Sequence, residues 1–379
     1  MYSKSHNNKN AFILIFFIKS SLATNLIPFH INKSDPEAEL EQNTKLYNLL
    51  TLQGKNNKEL PTNDIIQPDD HCYDLNNLIK SSSNFAPSQS EQFVAKKYPM
   101  SINISSCNQS QPPNSTKAIL TAKMALAVLD SDRKYKILIT DFSGKNTQPI
   151  VISNSPITSI SWNKSNTAIA YVSYEAGKPI IYVQNIYTGK RYIVANFDGS
   201  NSSPAFIDNT ALLVSLSKDY GTHVYKIDIQ NYTSKKAAIS TINTNSIDTE
   251  ADYGNGNLIF TSGKDDKPQI YLRSKGTTAN QQISLGKNNT TGRISGDGRK
   301  VLYTHGSGGK YSLMYYDINT KTTKKIDSGK ILSGSFAPDN TLISYIKNNQ
   351  IIINNPIYNK SIALTGLKYR EIFDIKWSK

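Results

Sequence analysis

The chain has 379 residues, with 43 Lys and Arg against 29 Asp and Glu and a formal net charge of +14. Such a surplus raises nucleic acid or an anionic envelope surface as a partner. The lysines, however, are scattered over loop tips, no basic motif interleaved with aromatics occurs, and Lys, Asn, Ile and Tyr are abundant together, so the charge reads as composition bias and nucleic acid is set aside.

Residues 1–23 read as a secretion signal. Lys4 and Lys9 form a basic start, residues 11–18 form an apolar core, and Ser21, Leu22 and Ala23 give a small-x-small cleavage pattern before Thr24. The core is too short to span a bilayer, and no later run is long enough. No cysteine follows the signal directly, so the mature chain is expected to be exported, soluble and without a lipid anchor.

Residues 24–115 are rich in Asn, Ser and Lys. Leu26, Ile27, Pro28 and Phe29 suggest a short strand. A helix is expected to start near Asp35, with Pro36 in its first turn and an apolar stripe through Leu46, Leu49 and Leu50. Residues 74–79 suggest a second short helix, and the Ser, Asn, Gln and Pro of residues 101–115 a linker. Cys72 and Cys107 lie in this part; in an oxidising compartment an even pair suggests a disulfide, with two unrelated thiols as the alternative.

From residue 116 onward one pattern is written six times. Its anchors are Trp162, Phe206, Tyr253, Ile294, Phe336 and Trp377, spaced by roughly 41 to 47 residues, within the ~40–50-residue period of propeller blades. After each of the first five anchors come a polar turn, an apolar strand such as residues 168–172 or 301–304, a charged or Gly-rich tip, and a second strand. Gly, Asn and Asp at the tips supply the positive φ of tight hairpins. Asp141, Asn185, Asp228 and Asp317 recur after the second strand and read as turn caps. The sixth repeat is split: Trp377 is an anchor without following strands, and the matching strands are residues 125–129 and 135–140. The C-terminal strand is therefore expected to pair with them and close the ring, removing exposed sheet edges. The fold class is all-β, a six-bladed β-propeller over residues 116–379 with a small α/β segment in front.

The search for chemistry gives little. There is no Gly-x-Ser-x-Gly elbow. None of His6, His30, His71, His223 and His305 has metal-ligand spacing to another His or Cys. His71 and Cys72 beside Asp69 and Asp70 read as an ordinary loop, and Gly306, Ser307, Gly308 and Gly309 as a hairpin tip rather than a phosphate cradle. No cofactor or metal is expected, and binding is favoured over catalysis.

Several runs resemble a known family. Residues 160–184, which include Tyr171, Val172, Ser173, Tyr174, Glu175, Ala176, Gly177, Lys178 and Pro179, are similar to the first propeller repeat of the TolB family, the periplasmic component of the Tol–Pal system. Ser203, Pro204, Ala205 and Phe206 resemble its second repeat, Asp248, Thr249 and Glu250 with Lys267, Pro268 and Gln269 its third, and Ser295 to Gly298 and Ser335 to Asp339 its fourth and fifth. The resemblance covers residues 117–379. The segment in front departs from the family, whose α/β domain is larger.

The resemblance implies a non-enzymatic periplasmic role. TolB-like proteins bind the peptidoglycan-associated lipoprotein on the face where the loops ahead of the anchor strands gather, contact TolA through the mature N-terminus, and support outer-membrane integrity and constriction at division. By position, the matching loops are 200–203, 248–250 and 289–293. The implied contacts are Ser200, Ser203, Asp248, Thr249, Glu250 and Arg293, with Glu250 the charged one. Glu250→Lys is expected to weaken lipoprotein binding without unfolding the ring, and removal of residues 24–115 to leave a folded propeller. The alternatives are a propeller module for another envelope ligand and a propeller glycan-acting enzyme.

Overall fold

A computed structural model describes residues 25–26, 36–51, 122–218, 221–229, 239–264, 267–308 and 310–379. The segment read as a secretion signal, Cys72, Cys107, the short helix expected at 74–79 and the linker expected at 101–115 lie outside the described residues.

Six sheets stand around a central axis, five of four strands and one of five. Their innermost strands are Ile157–Trp162, Asn201–Phe206, Asp248–Gly254, Asn288–Ile294, Ile331–Phe336 and Glu371–Trp377. We number the blades 1 to 6 in that order. Each inner strand touches the next, and the sixth touches the first, so the ring is closed. Closure occurs where the split repeat indicates: Glu371–Trp377 pairs antiparallel with Lys123–Leu129, Met124 facing Trp377 and Leu126 facing Ile375.

The anchors explain why the repeat exists. The described core falls into six clusters, one at each blade interface. Trp162 packs into the cluster between blades 6 and 1, Phe206 between 1 and 2, and Trp377 between 5 and 6. Each anchor is thus a wedge set against the preceding blade. The second strand of a blade serves both sides. In Ala168–Ser173, Ile169 and Tyr171 face blade 6 while Ala168, Ala170 and Val172 face blade 2. Burial on both faces is why these strands read as continuous apolar runs rather than alternation.

Three of the four recurring Asp and Asn residues cap turns as expected. Asp141, Asn185 and Asp317 each accept hydrogen bonds from backbone N–H groups two to five residues on. The short strand expected at 26–29 is Asn25–Leu26, and it joins no sheet of its own. It pairs with Val151 and Ile152 as the outermost strand of blade 6. The helix Pro36–Thr51 lies against blade 5, and Leu50 is fully buried in the cluster between blades 5 and 6. Leu49, which the apolar stripe placed inward, is 46% exposed.

Candidate functional site

Two ends of the ring need separate description. At one end lie the loops that lead into the inner strands. At the other lie the turns that leave them.

The entry loops of blades 2, 3 and 4 share one device. The polar residue five positions before the anchor is fully buried and reaches back four residues to fix the loop. Asn201 accepts from the Phe197 N–H at 3.0 Å and donates to the Phe197 carbonyl at 2.8 Å. Asp248 accepts from the Thr244 N–H at 2.8 Å and the Thr244 hydroxyl at 2.7 Å, with His223 Nδ1 at 3.4 Å. Asn289 donates to the Leu285 carbonyl at 3.2 Å and to Gln269 at 2.8 Å, while its Oδ1 lies 2.9 Å from His305 Nδ1. The equivalent positions in blades 1, 5 and 6 are Ile157, Ile331 and Ile372, buried apolar residues without that reach. Three consecutive blades therefore carry side-chain-pinned loops on one face. Preformed loops lose little ordering entropy on binding.

The predicted contact residues divide in two. Ser200, Ser203 and Thr249 are half-buried; Ser200 and Thr249 flank the entry loops, while Ser203 lies within its strand and lines the central lumen. Ser200 accepts from the Ser217 N–H through its carbonyl. Asp248 is fully buried, and its carboxylate is taken up by Thr244 and His223. Glu250 sits at a bulge with φ +54°, and its Oε2 accepts from the Thr261 hydroxyl and, at 2.7 Å, from the Thr291 N–H of the next blade. Arg293 is not on a rim loop. It lies within its strand, one residue before the anchor, and lines the central lumen.

Two residues that the sequence reading missed share the entry loops. Ile247 is 64% exposed and Leu285 is 81% exposed. Each belongs to a pinned loop, so an apolar side chain is held out towards water on a fixed backbone. The available signal was a branched aliphatic residue in an otherwise polar loop.

The bulge seen at Glu250 recurs. Ser159, Ser203 and Thr291 occupy the same place three residues before their anchors, with φ between +51° and +54°, and the ladder slips at each. A slip frees backbone N–H groups that must find partners. Neighbouring blades supply them. Asp374 accepts from the Ile160 N–H at 2.8 Å, Ser215 from the Glu250 N–H at 3.1 Å, Asp252 from the Ile294 N–H at 3.1 Å, Ser161 from the Phe206 N–H at 2.9 Å and Ser335 from the Trp377 N–H at 3.1 Å. Between blades 4 and 5, the Asn340 side chain accepts from the Asp297 N–H. Every interface is stapled by at least one polar side chain as well as by its apolar cluster.

Beyond the staples the lumen widens into a cavity of about 540 Å³ that opens among the exit turns. Among the described residues, no group of three or more His, Cys, Asp or Glu side chains is arranged to hold a metal ion, and no helix is long and apolar enough to cross a membrane.

A closed ring of six blades, five of four strands and one of five, with one face of pinned loops, defines the class: a six-bladed β-propeller. The sequence pattern of the TolB β-propeller domain matches residues 115–357, and the chain belongs to that family. The Tol-Pal system protein TolB of Francisella tularensis subsp. mediasiatica (strain FSC147) is 29% identical over 227 residues, covering 57% of this chain and 52% of that protein. The TolB of Azoarcus sp. (strain BH72) is 45% identical over 76 residues, 20% of this chain and 18% of that protein. The chain thus spans about half the length of the Francisella relative it matches. Among solved structures, TolB from Acinetobacter baumannii superposes with a TM-score of 0.61 at 27% identity, over 68% of this chain and 66% of that one. The nidogen/laminin complex contains a chain that superposes at 0.55 with 10% identity, over 68% of this chain and 98% of that one, a likeness of fold alone.

Proposed function

We propose that this protein is an exported, non-enzymatic component of the Tol–Pal envelope system, working in the periplasm. It binds the peptidoglycan-associated lipoprotein through the entry-loop face of blades 2, 3 and 4, and so supports outer-membrane integrity and constriction at division. One observation carries the reading. The three segments that the family resemblance picks out, 200–203, 248–250 and 289–293, begin where the loops pinned by Asn201, Asp248 and Asn289 end, and two of those loops hold Ile247 and Leu285 out to solvent. Ser200 and Thr249 border these loops, and Ser203 lies inward of them on the lumen. Asp248 and Glu250 shape the entry-loop face from behind, and Arg293 lies in the lumen, away from it. Exposed aliphatic anchors on a rigid frame are what a protein partner's pocket can accept.

The mature N-terminus would meet TolA. Asn25–Leu26 forms the outer edge of blade 6 in the described structure, so such a contact requires that edge to be presented or released.

The test is a pull-down of residues 24–379 against the cognate lipoprotein domain at moderate salt, with Leu285→Glu and Ile247→Glu beside the unaltered chain. Binding that survives salt and weakens by roughly tenfold in either variant supports the reading, since burying an unpaired carboxylate at an interface centre costs more than the lost apolar contact. No binding by a well-folded chain sinks it and favours a propeller module for another envelope ligand.

A further inference from the structure

We propose that the exit end of the lumen, on the face opposite the entry loops, is a binding site for a carboxylate-bearing ligand held between Arg293 and Lys376. This goes beyond the docking role and does not depend on it.

The position one residue before the anchor points into the lumen in each blade. Around the ring it reads Ser161, Ala205, Asp252, Arg293, Ser335 and Lys376. The pattern alternates. Ser161, Asp252 and Ser335 each accept the N–H of the next blade's anchor, at 2.9, 3.1 and 3.1 Å, and are committed to holding the ring. Ala205, Arg293 and Lys376 staple nothing with their side chains. Two of these three are cations, and ring closure explains neither.

Their polar atoms are also poorly satisfied. Arg293 donates through Nη1 to the Gly292 carbonyl, yet its Nε is buried without a partner. Lys376 Nζ makes no hydrogen bond or ion pair among the described residues, and the side chain is half-exposed on the cavity. The nearby carboxylates offer little relief. Asp252 accepts from the Tyr253 and Ile294 N–H groups. Asp374 accepts from Ile160 and Ile375 N–H groups and from the Ser333 hydroxyl at 2.6 Å. Buried donors in a native fold normally have partners. Arg293 and Lys376 both line one cavity of about 540 Å³, a size suited to a small ligand.

Charge sets the sign of the ligand. Lys164, Lys275, Arg293, Lys376 and Lys379 line the cavity against Asp208 and Asp252. Only part of the Lys376 surface is covered, but the side chain lies deep in the protein. Burial first, then Arg293 and Lys379, pull its pKa down to about 7 against the opposing pull of Asp374 and Asp252. A carboxylate meets Arg293 and Lys376 with one negative charge, while Asp208 and Asp252 on the same lining oppose the second charge of a phosphate group. The lining also includes Ile160 and Ala205, apolar side chains that can meet an aliphatic tail. A carboxylate bound there restores the ammonium on Lys376, so binding takes up a proton near neutral pH. The carboxylate belongs either to a small acid or to an acidic side chain of an extended peptide.

The test titrates the full mature chain with hexanoate, with a capped hexapeptide bearing one central Glu, and with inorganic phosphate, each followed by calorimetry in two buffers of different ionisation heat. Saturable binding of hexanoate assigns a small acid; binding of the peptide alone assigns an acidic side chain. Either is expected with net proton uptake near pH 7.5 and with affinity about tenfold weaker in Arg293→Met and in Lys376→Met. Binding of neither, equal or tighter binding of phosphate, or unchanged affinity in both variants overturns the site. If a variant does not fold, acetylation of Lys376 in the unaltered chain decides. The bound acid slows it if the site is right, and leaves its rate unchanged if the site is wrong.

Discussion

Glu250 shows how one side chain is shared between shape and surface. Resemblance marks it as a charged partner contact, while its Oε2 closes the gap that a bulge opens in the next blade. Glu250→Lys removes the acceptor of the Thr291 N–H, and an unsatisfied buried donor costs about 1–3 kcal/mol. Loss of stability in urea denaturation is therefore expected alongside any loss of binding, and unchanged stability would remove the staple from the account. Asp374 is the stronger case. It is buried and accepts from two backbone N–H groups and one hydroxyl. Asp374→Ala orphans donors in blades 1, 5 and 6, and about 3 kcal/mol or more is expected from the same measurement. Lys376 gives a pH signature. Its folded pKa lies near 7, below the usual 10.5, because burial disfavours the ammonium. Between those values the unfolded chain binds the proton and the folded chain does not, so stability rises with pH across that window, while the full cost is present below it. Denaturation midpoints at pH values inside and below the window should show this slope, and Lys376→Met should flatten it.

At the scale of elements, the repeat was the most legible feature because blade period and anchor type follow directly from packing. A wedge residue is needed once per interface, and six interfaces leave six marks in the sequence. The split repeat was legible for the same reason: an anchor without strands and strands without an anchor must meet. The bulges were not. Ser159, Ser203, Glu250 and Thr291 take positive φ without the Gly or Asn that would signal it, since neighbouring blades satisfy the freed N–H groups and cover the strain. Arg293 was assigned to a rim loop because sequence gives spacing from the anchor, not where the slipped strand points. Asn25–Leu26 adds to blade 6 through a pairing too short to leave a period. The helix Pro36–Thr51 was legible, but its docking was not: Leu50 fills the cluster between blades 5 and 6. Removing residues 24–115 should therefore keep one cooperative thermal transition but lower its midpoint by several degrees, as expected when a fully buried leucine, worth about 2–3 kcal/mol, is lost. Calorimetry that shows no cooperative transition would mean that the ring does not stand alone. Deleting the strand Glu371–Trp377 should abolish the transition altogether, because it opens the ring and exposes two sheet edges.

For the whole molecule, the two ends of the ring carry different chemistry. The entry face offers pinned loops and exposed aliphatic side chains, which suit a protein partner. The exit end offers a cavity that opens among the turns and is lined by Arg293 and Lys376, where the proposed carboxylate would bind. Both depend on a stapled ring that holds its strands fixed. The most direct measurement is hydrogen exchange of the mature chain with and without the lipoprotein domain. The account predicts slowed exchange in residues 197–203, 243–250 and 285–291, with the exit turns unaffected. Protection confined to the exit turns, or none on the entry loops of a complex known to have formed, would contradict it.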